Sequence, residues 1–210
     1  MTRLNTAAET KQQHIDAMGE ELGSLYNNLW NELVWINAKW NEYTELFGTK
    51  PSRIELLNRV AGKFFKIVQD SLFEGTLLAI ARITDSTKTG KKNNCTIRQF
   101  PLHISDADLR LQVEQLLATV TCKTSFCRDW RNKRIAHNDY ELAMSEGTKT
   151  LEPASRLKVM EAIQSIDAVF DAISLHYYDS TTAFEGVGNA DGALSLLYVI
   201  DDGLRFQDEK

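Results

Sequence analysis

The sequence predicts an all-α protein, a bundle of four or five main helices whose long members run antiparallel. Over most of the chain, apolar residues recur at alternating intervals of three and four, the spacing that keeps side chains on one helical stripe. Only three prolines punctuate the 210 residues, and they fall far apart. Hydrophobic residues make up 43% and charged residues 25%, the ordinary balance of a soluble globular chain with a sizeable core.

The first segment carries the clearest seam: Leu22, Tyr26, Leu29, Leu33, Ile36, Trp40, Tyr43 and Phe47, widened by Trp30, Val34 and Trp35. It predicts a helix from near Thr10 to Gly48, where a residue without Cβ tolerates a left-handed cap. Unbroken, it would approach ~55 Å at about 1.5 Å per residue. Gly19 and Gly23 are where its first third would bend or break. Pro51, with Thr49 as a cap candidate, suits the start of a second helix. Its apolar row is Ile54, Leu57, Ala61, Phe64, Val68, Leu72, Gly75, Ala79 and Ile83, and its end falls near Thr84–Asp85. Gly62 and Gly75 offer room for close helix contact.

Ser86 to Asn94 is polar, with Lys88, Lys91 and Lys92, and reads as an exposed connection. Its Thr-Gly-Lys-Lys lacks the spacing and preceding strand of a phosphate-binding P-loop. Ile97 to Ile104 contains Pro101 and is expected to be irregular. A third helix begins near Ser105, an N-cap candidate followed by Asp106 and Asp108. Its core positions are Leu109, Val113, Leu116, Leu117 and Val120. It continues through Phe126, Cys127 and Trp130 to about Ala136, with a break expected in the weak helix formers of Thr119 to Thr124. Gly147 closes a short loop. Pro153 opens a fourth long helix, with Val159, Ile163, Ile166, Phe170, Ile173 and Tyr177 inward. After a glycine-bearing polar stretch, a terminal helix puts Ala193, Leu196, Leu197, Ile200 and Leu204 on one face.

No boundary separates two cores, so a single domain over 1–210 is expected, with its core at about 10–180 and a C-terminal helical appendage at 181–210. The polar start has no apolar signal region, and no apolar run approaches the roughly 20 residues of a membrane span. The three cysteines lack CxxC spacing and suit neither a disulfide framework nor a structural zinc site. The expected location is the cytoplasm, with no membrane partner, no metal and no cofactor. The net charge of -5 argues against broad coating of nucleic acid but allows a local basic site.

That site is Lys123 to His137. It holds Lys123, Arg128, Arg131, Lys133 and Arg134 against one acid, Asp129. Cleaving a phosphodiester without metal needs a base for the ribose 2′-OH, an acid for the leaving oxygen and a cation for the crowded phosphate. Histidine titrates near neutrality and serves as either acid or base. Arginine stays charged and forks onto phosphate oxygens. Asn132 could orient the phosphate or the imidazole. Arg131 and His137 are six apart, about 240° around an ideal helix. Either the helix ends or distorts before His137, or the two meet across a symmetric dimer. Arg134 and His137, three apart, would share a face. Lys123, Arg128, Lys133 and Arg134 are read as a solvated or RNA-steering face. Asp70, Glu74, Arg82 and Asp85 form a polar row on the second helix, explained by intrahelical ion pairs or by pairing with Arg131.

Arg131-Asn132, four intervening residues and His137, in a helical chain, resembles the R-x4-6-H signature of HEPN domains. The wider context resembles their AbiU-like branch, associated with abortive infection. It rests on Phe64–Asp70, Ala81–Asp85 and Arg128–Asp139, and the resemblance extends over roughly residues 20–180. It implies a HEPN-type bundle that dimerises so that two motifs face one cleft, and a metal-independent endoribonuclease of a toxin–antitoxin or phage-defence system. Arg131, His137 and Asn132 would be catalytic, RNA the substrate or ligand, and an antitoxin or defence protein a further partner. The toxin subgroup with tyrosine two residues past the histidine is departed from: Asp139 stands there, and Tyr140 one later. The alternative is a catalytically inactive HEPN module that binds RNA, nucleotide or a protein.

Overall fold

The structure, a computed structural model, describes residues 5–136, 139–144, 151–181 and 191–209. Apart from one exposed hairpin, its regular elements are helical. They are α1 (Ala7–Met18), α2 (Glu20–Phe47), α3 (Pro51–Ile83), strands β1 (Lys88–Thr89) and β2 (Lys92–Asn93), and a 3-10 turn at Ile97–Gln99. Then come α4 (Phe100–His103), α5 (Ala107–Lys123), α6 (Ser125–Trp130), a π-turn at Arg131–Ile135, α7 (Tyr140–Met144), α8 (Arg156–Tyr178) and α9 (Ala193–Asp208). The all-α expectation holds. No described helix is long and apolar enough to cross a membrane. By compactness the chain falls into two units, Met1–Leu33 with Leu78–Ala183, and Val34–Leu77 with Phe184–Lys210.

In the first unit, the seam of α2 is interior as expected: Leu22, Tyr26, Leu29 and Leu33 are buried. The helix ahead of it is separate. Gly19 takes φ +83° and ends α1, and α2 restarts at Glu20. A Cβ on Gly23 would lie 2.4 Å from the His14 carbonyl oxygen, so only glycine lets α1 lie this close to α2. The start of α1 is earlier than Thr10. Thr6 and Glu9 form a reciprocal capping box, the Thr6 N–H donating to Glu9 Oε2 at 2.7 Å and the Glu9 N–H to Thr6 Oγ1 at 3.2 Å.

Ile97–Ile104 is not irregular. It forms the 3-10 turn and α4, with Pro101 in the first turn, where its missing N–H costs nothing. Ile97, Phe100 and Ile104 are buried. Phe100 closes an aromatic triad with Tyr26 and Phe170, ring centroids 5.3–6.2 Å apart. The cap of α5 is Asp106, not Ser105: its carboxylate accepts the Leu109 N–H at 2.8 Å. Leu109, Val113, Leu117 and Val120 pack along α8, while Leu116 is only half-buried. The predicted break falls at Thr124, where the Thr121 and Thr124 hydroxyls donate back to Leu117 and Val120 carbonyls. The fourth long helix starts at Arg156 with Ser155 as its cap, three residues after the expected Pro153. Val159, Ile163, Ile166, Phe170 and Ile173 are buried, as their spacing predicts. Gly147 lies outside the described residues.

In the second unit, Glu45 meets Arg53 and Trp40 meets Phe73, the order of an antiparallel pair formed by α2 and α3. Trp40 and Tyr43 stack at 5.0 Å. Trp35 does not widen the seam; it is 67% exposed. In α3, Ala61 leaves helical geometry (φ -159°, ψ 60°). Past that kink the inward residue is Phe65, while Phe64 is 59% exposed. A Cβ on Gly75 would meet nothing within 4 Å, and one on Gly62 would meet the Asn58 side chain of its own helix. Leu46, Leu57 and Phe65 form a cluster with Ala193 and Leu197 of α9. Leu196 is 44% exposed rather than inward. The Glu42 carboxylate accepts the Ala193 N–H at the start of α9, and Asp208 at its end accepts Arg59.

Candidate functional site

The basic segment begins where α5 breaks. Thr124 has φ -106° and ψ 5°, and α6 then carries Phe126 and Cys127 into the core. Burial pushes the Cys127 thiol up to about 12, so it is a packing residue and not a nucleophile. One side of α6 is thereby fixed inward, and Arg128 and Arg131 emerge next to the end of α3.

At Arg131 the hydrogen bonding changes. The Ala136 N–H donates to the Arg131 carbonyl at 2.9 Å, a five-residue step in place of four, and the Asp139 N–H donates to the Lys133 carbonyl at 3.0 Å. A π-turn of this kind interrupts helices at functional places. The expectation that the helix distorts or ends before residue 137 is met by this turn and its end at Ala136. His137 itself, with Asn138, lies outside the described residues.

Arg131 donates from Nη1 to Asp85 Oδ2 at 2.7 Å and from Nε to Asn132 Oδ1 at 3.0 Å. Its side chain is 25% exposed and that of Asp85 29%. Two of the motif residues, Arg131 and Asn132, are thus together. Of the expected polar row, Asp85, just past the end of α3, is the member that pairs with Arg131. Arg82 pairs with Glu32, and Asp70 pairs with Lys66 one turn before it.

Arg128 bridges the end of α3 and the last turn of α5. Nη1 donates to the Thr84 carbonyl at 3.2 Å, and Nη2 to the Thr121 carbonyl at 3.3 Å. A second arginine reaches the same point: Arg98 Nε donates to the Thr84 carbonyl at 2.9 Å, and Nη2 to Thr121 Oγ1 at 2.8 Å. Burial, then the Arg98 charge, pulls the Arg128 guanidinium below its usual range, with Arg131 adding to this and Asp85 opposing it; it remains charged at any physiological pH. Arg98 escapes the sequence-based reading because it sits in the stretch expected to be irregular around Pro101. A signal is present: Ile97 and Phe100 flank it at helical spacing. Asp85, Ser86, Thr87, Arg98 and Arg128 line an open hollow of about 520 Å³.

The other cations behave differently. Lys123 lies 2.8 Å from Glu161, whose hydrogen bond holds the ammonium above its usual range. Lys133 lies 2.5 Å from Asp129. Burial pushes the Asp129 carboxyl up, but bonds from Lys133 and the Glu152 N–H outweigh it and hold it low. Arg134 sits over the Trp130 ring at 5.9 Å, and Trp130 Nε1 donates to the Glu152 carbonyl at 2.8 Å. Among the described residues no group of three or more His, Cys, Asp or Glu side chains could hold a metal ion.

Among known protein families, the AbiU2 model of the HEPN group matches residues 19–192. No curated protein and no solved structure matches the chain.

Proposed function

The chain belongs to the HEPN AbiU2 family, and we propose that it is an RNA-cleaving member acting in abortive infection, with Arg131, Asn132 and His137 as its working residues. The observation that carries this reading is the arginine set at the end of α3. Three guanidiniums, of Arg98, Arg128 and Arg131, gather at the end of α3 beside an open hollow, the first two on the Thr84 carbonyl and the third on the Asp85 carboxylate. That surplus of fixed positive charge suits a polyanion.

In the proposed reaction, the ribose 2′-oxygen attacks the adjacent phosphorus and the bond from phosphorus to the 5′-oxygen breaks. The products are a 2′,3′-cyclic phosphate and a 5′-hydroxyl. His137 accepts the 2′-OH proton or delivers one to the leaving 5′-oxygen. Arg131 clamps the phosphoryl oxygens as charge builds on them, and Asn132, bonded to Arg131 Nε, orients that clamp. The chemistry asks nothing of a metal. The active form is proposed to be a homodimer that brings two motifs to one cleft, held in check by an antitoxin or defence partner.

A second reading draws on the Arg131–Asp85 ion pair: a guanidinium already satisfied by a carboxylate belongs equally to a silent module that binds RNA without cutting it. One experiment separates the two. Purified protein is incubated with single-stranded RNA in excess EDTA, and the ends of any fragments are analysed. Cleavage leaving cyclic phosphates, lost in His137→Ala while the melting temperature holds, is the expected result. Binding without cleavage makes the protein the silent module. Cleavage that disappears in EDTA and returns with magnesium points to different chemistry. Light scattering should give twice the chain mass, and a monomer at micromolar concentration removes the shared cleft.

A further inference from the structure

The hollow beside Arg131 has properties of its own. Arg98 and Arg128 donate to one shared acceptor, the Thr84 carbonyl, so two like charges are held close together. Such a pair is unfavourable in isolation. The negative end of the α3 dipole offsets part of the repulsion. Among the described residues, the carboxylate lining the hollow is that of Asp85, already engaged by Arg131, and the Glu32 carboxylate on α2 is engaged by Arg82. Among the described residues, Arg98 Nη1 has no hydrogen-bond partner, although its Nε and Nη2 are both bonded. The site is therefore part-buried and short of an anion.

We propose that this hollow is a second phosphate-holding subsite, seating a backbone phosphate of single-stranded RNA next to the one addressed by Arg131. The proposal rests on the RNA reading above. Its volume of about 520 Å³ is in the range of sites that take whole small ligands, enough for a nucleotide unit and not merely a water. The described residues lining it are charged or hydroxylic, and none is aromatic. A base therefore finds no stacking platform among them, and the recognised part is the sugar–phosphate chain, without preference for sequence. Asp85 joins the two positions, since it both lines the hollow and bonds Arg131. A chain crossing the hollow would be delivered to the Arg131 guanidinium in register.

The test uses full-length protein and a fluorescein-labelled, fully 2′-O-methylated single-stranded RNA, which cannot be cut because the attacking hydroxyl is blocked. Anisotropy is measured over a range of salt concentrations for wild type, Arg98→Gln and Thr87→Glu. Arg98→Gln removes the charge. Thr87→Glu leaves both Arg98 hydrogen bonds in place and puts a carboxylate in the hollow. Each should weaken binding about tenfold, and Arg98→Gln should lower the slope of log affinity against log salt by about 0.7, one phosphate contact on a single strand. A residue that matters only for folding would shift the melting temperature and leave that slope alone. Arg98→Lys should restore the slope but not the full affinity. Wild-type affinity and slope in both variants, with Arg131→Ala still impaired, would overturn the subsite and leave the RNA reading standing. No binding by wild type overturns both. Adenosine monophosphate binding as tightly as the oligonucleotide, and failing in the same variants, assigns the hollow to a free nucleotide and overturns the backbone assignment.

Discussion

On one side of the basic segment, Lys123 and Lys133 each meet a carboxylate within 2.8 Å at the surface. On the other side, Arg128 and Arg131 turn toward the end of α3, where Arg98 joins them and, among the described residues, Asp85 alone answers. In the sequence the segment's own cations form one cluster from Lys123 to Arg134. In the fold, two lysines are locally neutralised and three arginines, including one from a distant segment, share a surplus. A count of charges along a chain thus says little about the field at a site. What decides is whether a carboxylate lies within ion-pair reach, and whether burial keeps water from screening the remainder.

The contrast can be broken at its foundation. The arginine side depends on a buried anchor, since Phe100 is fully enclosed and comes two residues after Arg98. Phe100→Ala should lower the unfolding free energy by about 3–5 kcal/mol, as for other buried aromatic truncations, measured by urea denaturation. A loss below about 1 kcal/mol would mean that the Pro101 segment does not hold Arg98 in place.

Next in size is the clamp. Arg131→Ala should lower RNA cleavage by ~10²-fold or more, because it removes charge where charge develops. Arg131→Lys should recover little of it, since an ammonium lacks the fork. Wild-type turnover in either variant removes Arg131 from the reaction.

Asp85→Asn sharpens the contrast from the other direction. It adds to the surplus while releasing Arg131 from its orienting partner. Binding of the uncleavable RNA should tighten by about fivefold, while the maximal cleavage rate falls. Steady-state kinetics would then show KM and kcat dropping together. A rate that rises with affinity would show that Asp85 blocks the site instead of orienting it.

The smallest effects belong to the lysines. Lys123→Ala and Lys133→Ala should each change RNA affinity by less than about twofold, because exposed pairs hold their charge against a partner. Losses as large as that of Arg98→Gln would erase the distinction between the two sides.

How much of this is legible in the sequence depends on periodicity. The three-and-four spacing places Leu22 to Tyr43 and Val159 to Ile173 in the core, because a regular helix converts spacing directly into facing. The same rule misplaces Phe64. One non-helical residue, Ala61, shifts the facing just past it, so that Phe65 and not Phe64 turns inward, while Ala79 and Ile83 are buried as their spacing predicts; no residue type announces the kink. The stretch around Pro101 looks loose in sequence because proline ends helices. Here it begins one, and the buried Ile97 and Phe100 on either side of Arg98 are the sign of it. Arg131, Asn132 and Arg128 are legible as a basic motif. Arg98 is not, because its partner is a backbone carbonyl fourteen residues away, and such pairings leave no trace in local composition. The α3 row illustrates the same limit: Asp70, Arg82 and Asp85 look alike by spacing, yet each has a different kind of partner.

The three cysteines have a practical consequence. Cys95 and Cys122 are exposed and Cys127 is buried, its thiol pushed up to about 12. Burial thus disfavours the Cys127 thiolate, the form that reacts with disulfide reagents. Two thiols should therefore label at once, and the third only when α6 opens. Cys127 is the neighbour of Arg128, so its labelling rate times the opening of the very turn that aims the guanidiniums. A bound RNA strand bridging Arg98, Arg128 and Arg131 should slow that clock, giving a readout of occupancy that requires neither cleavage nor a label on the nucleic acid.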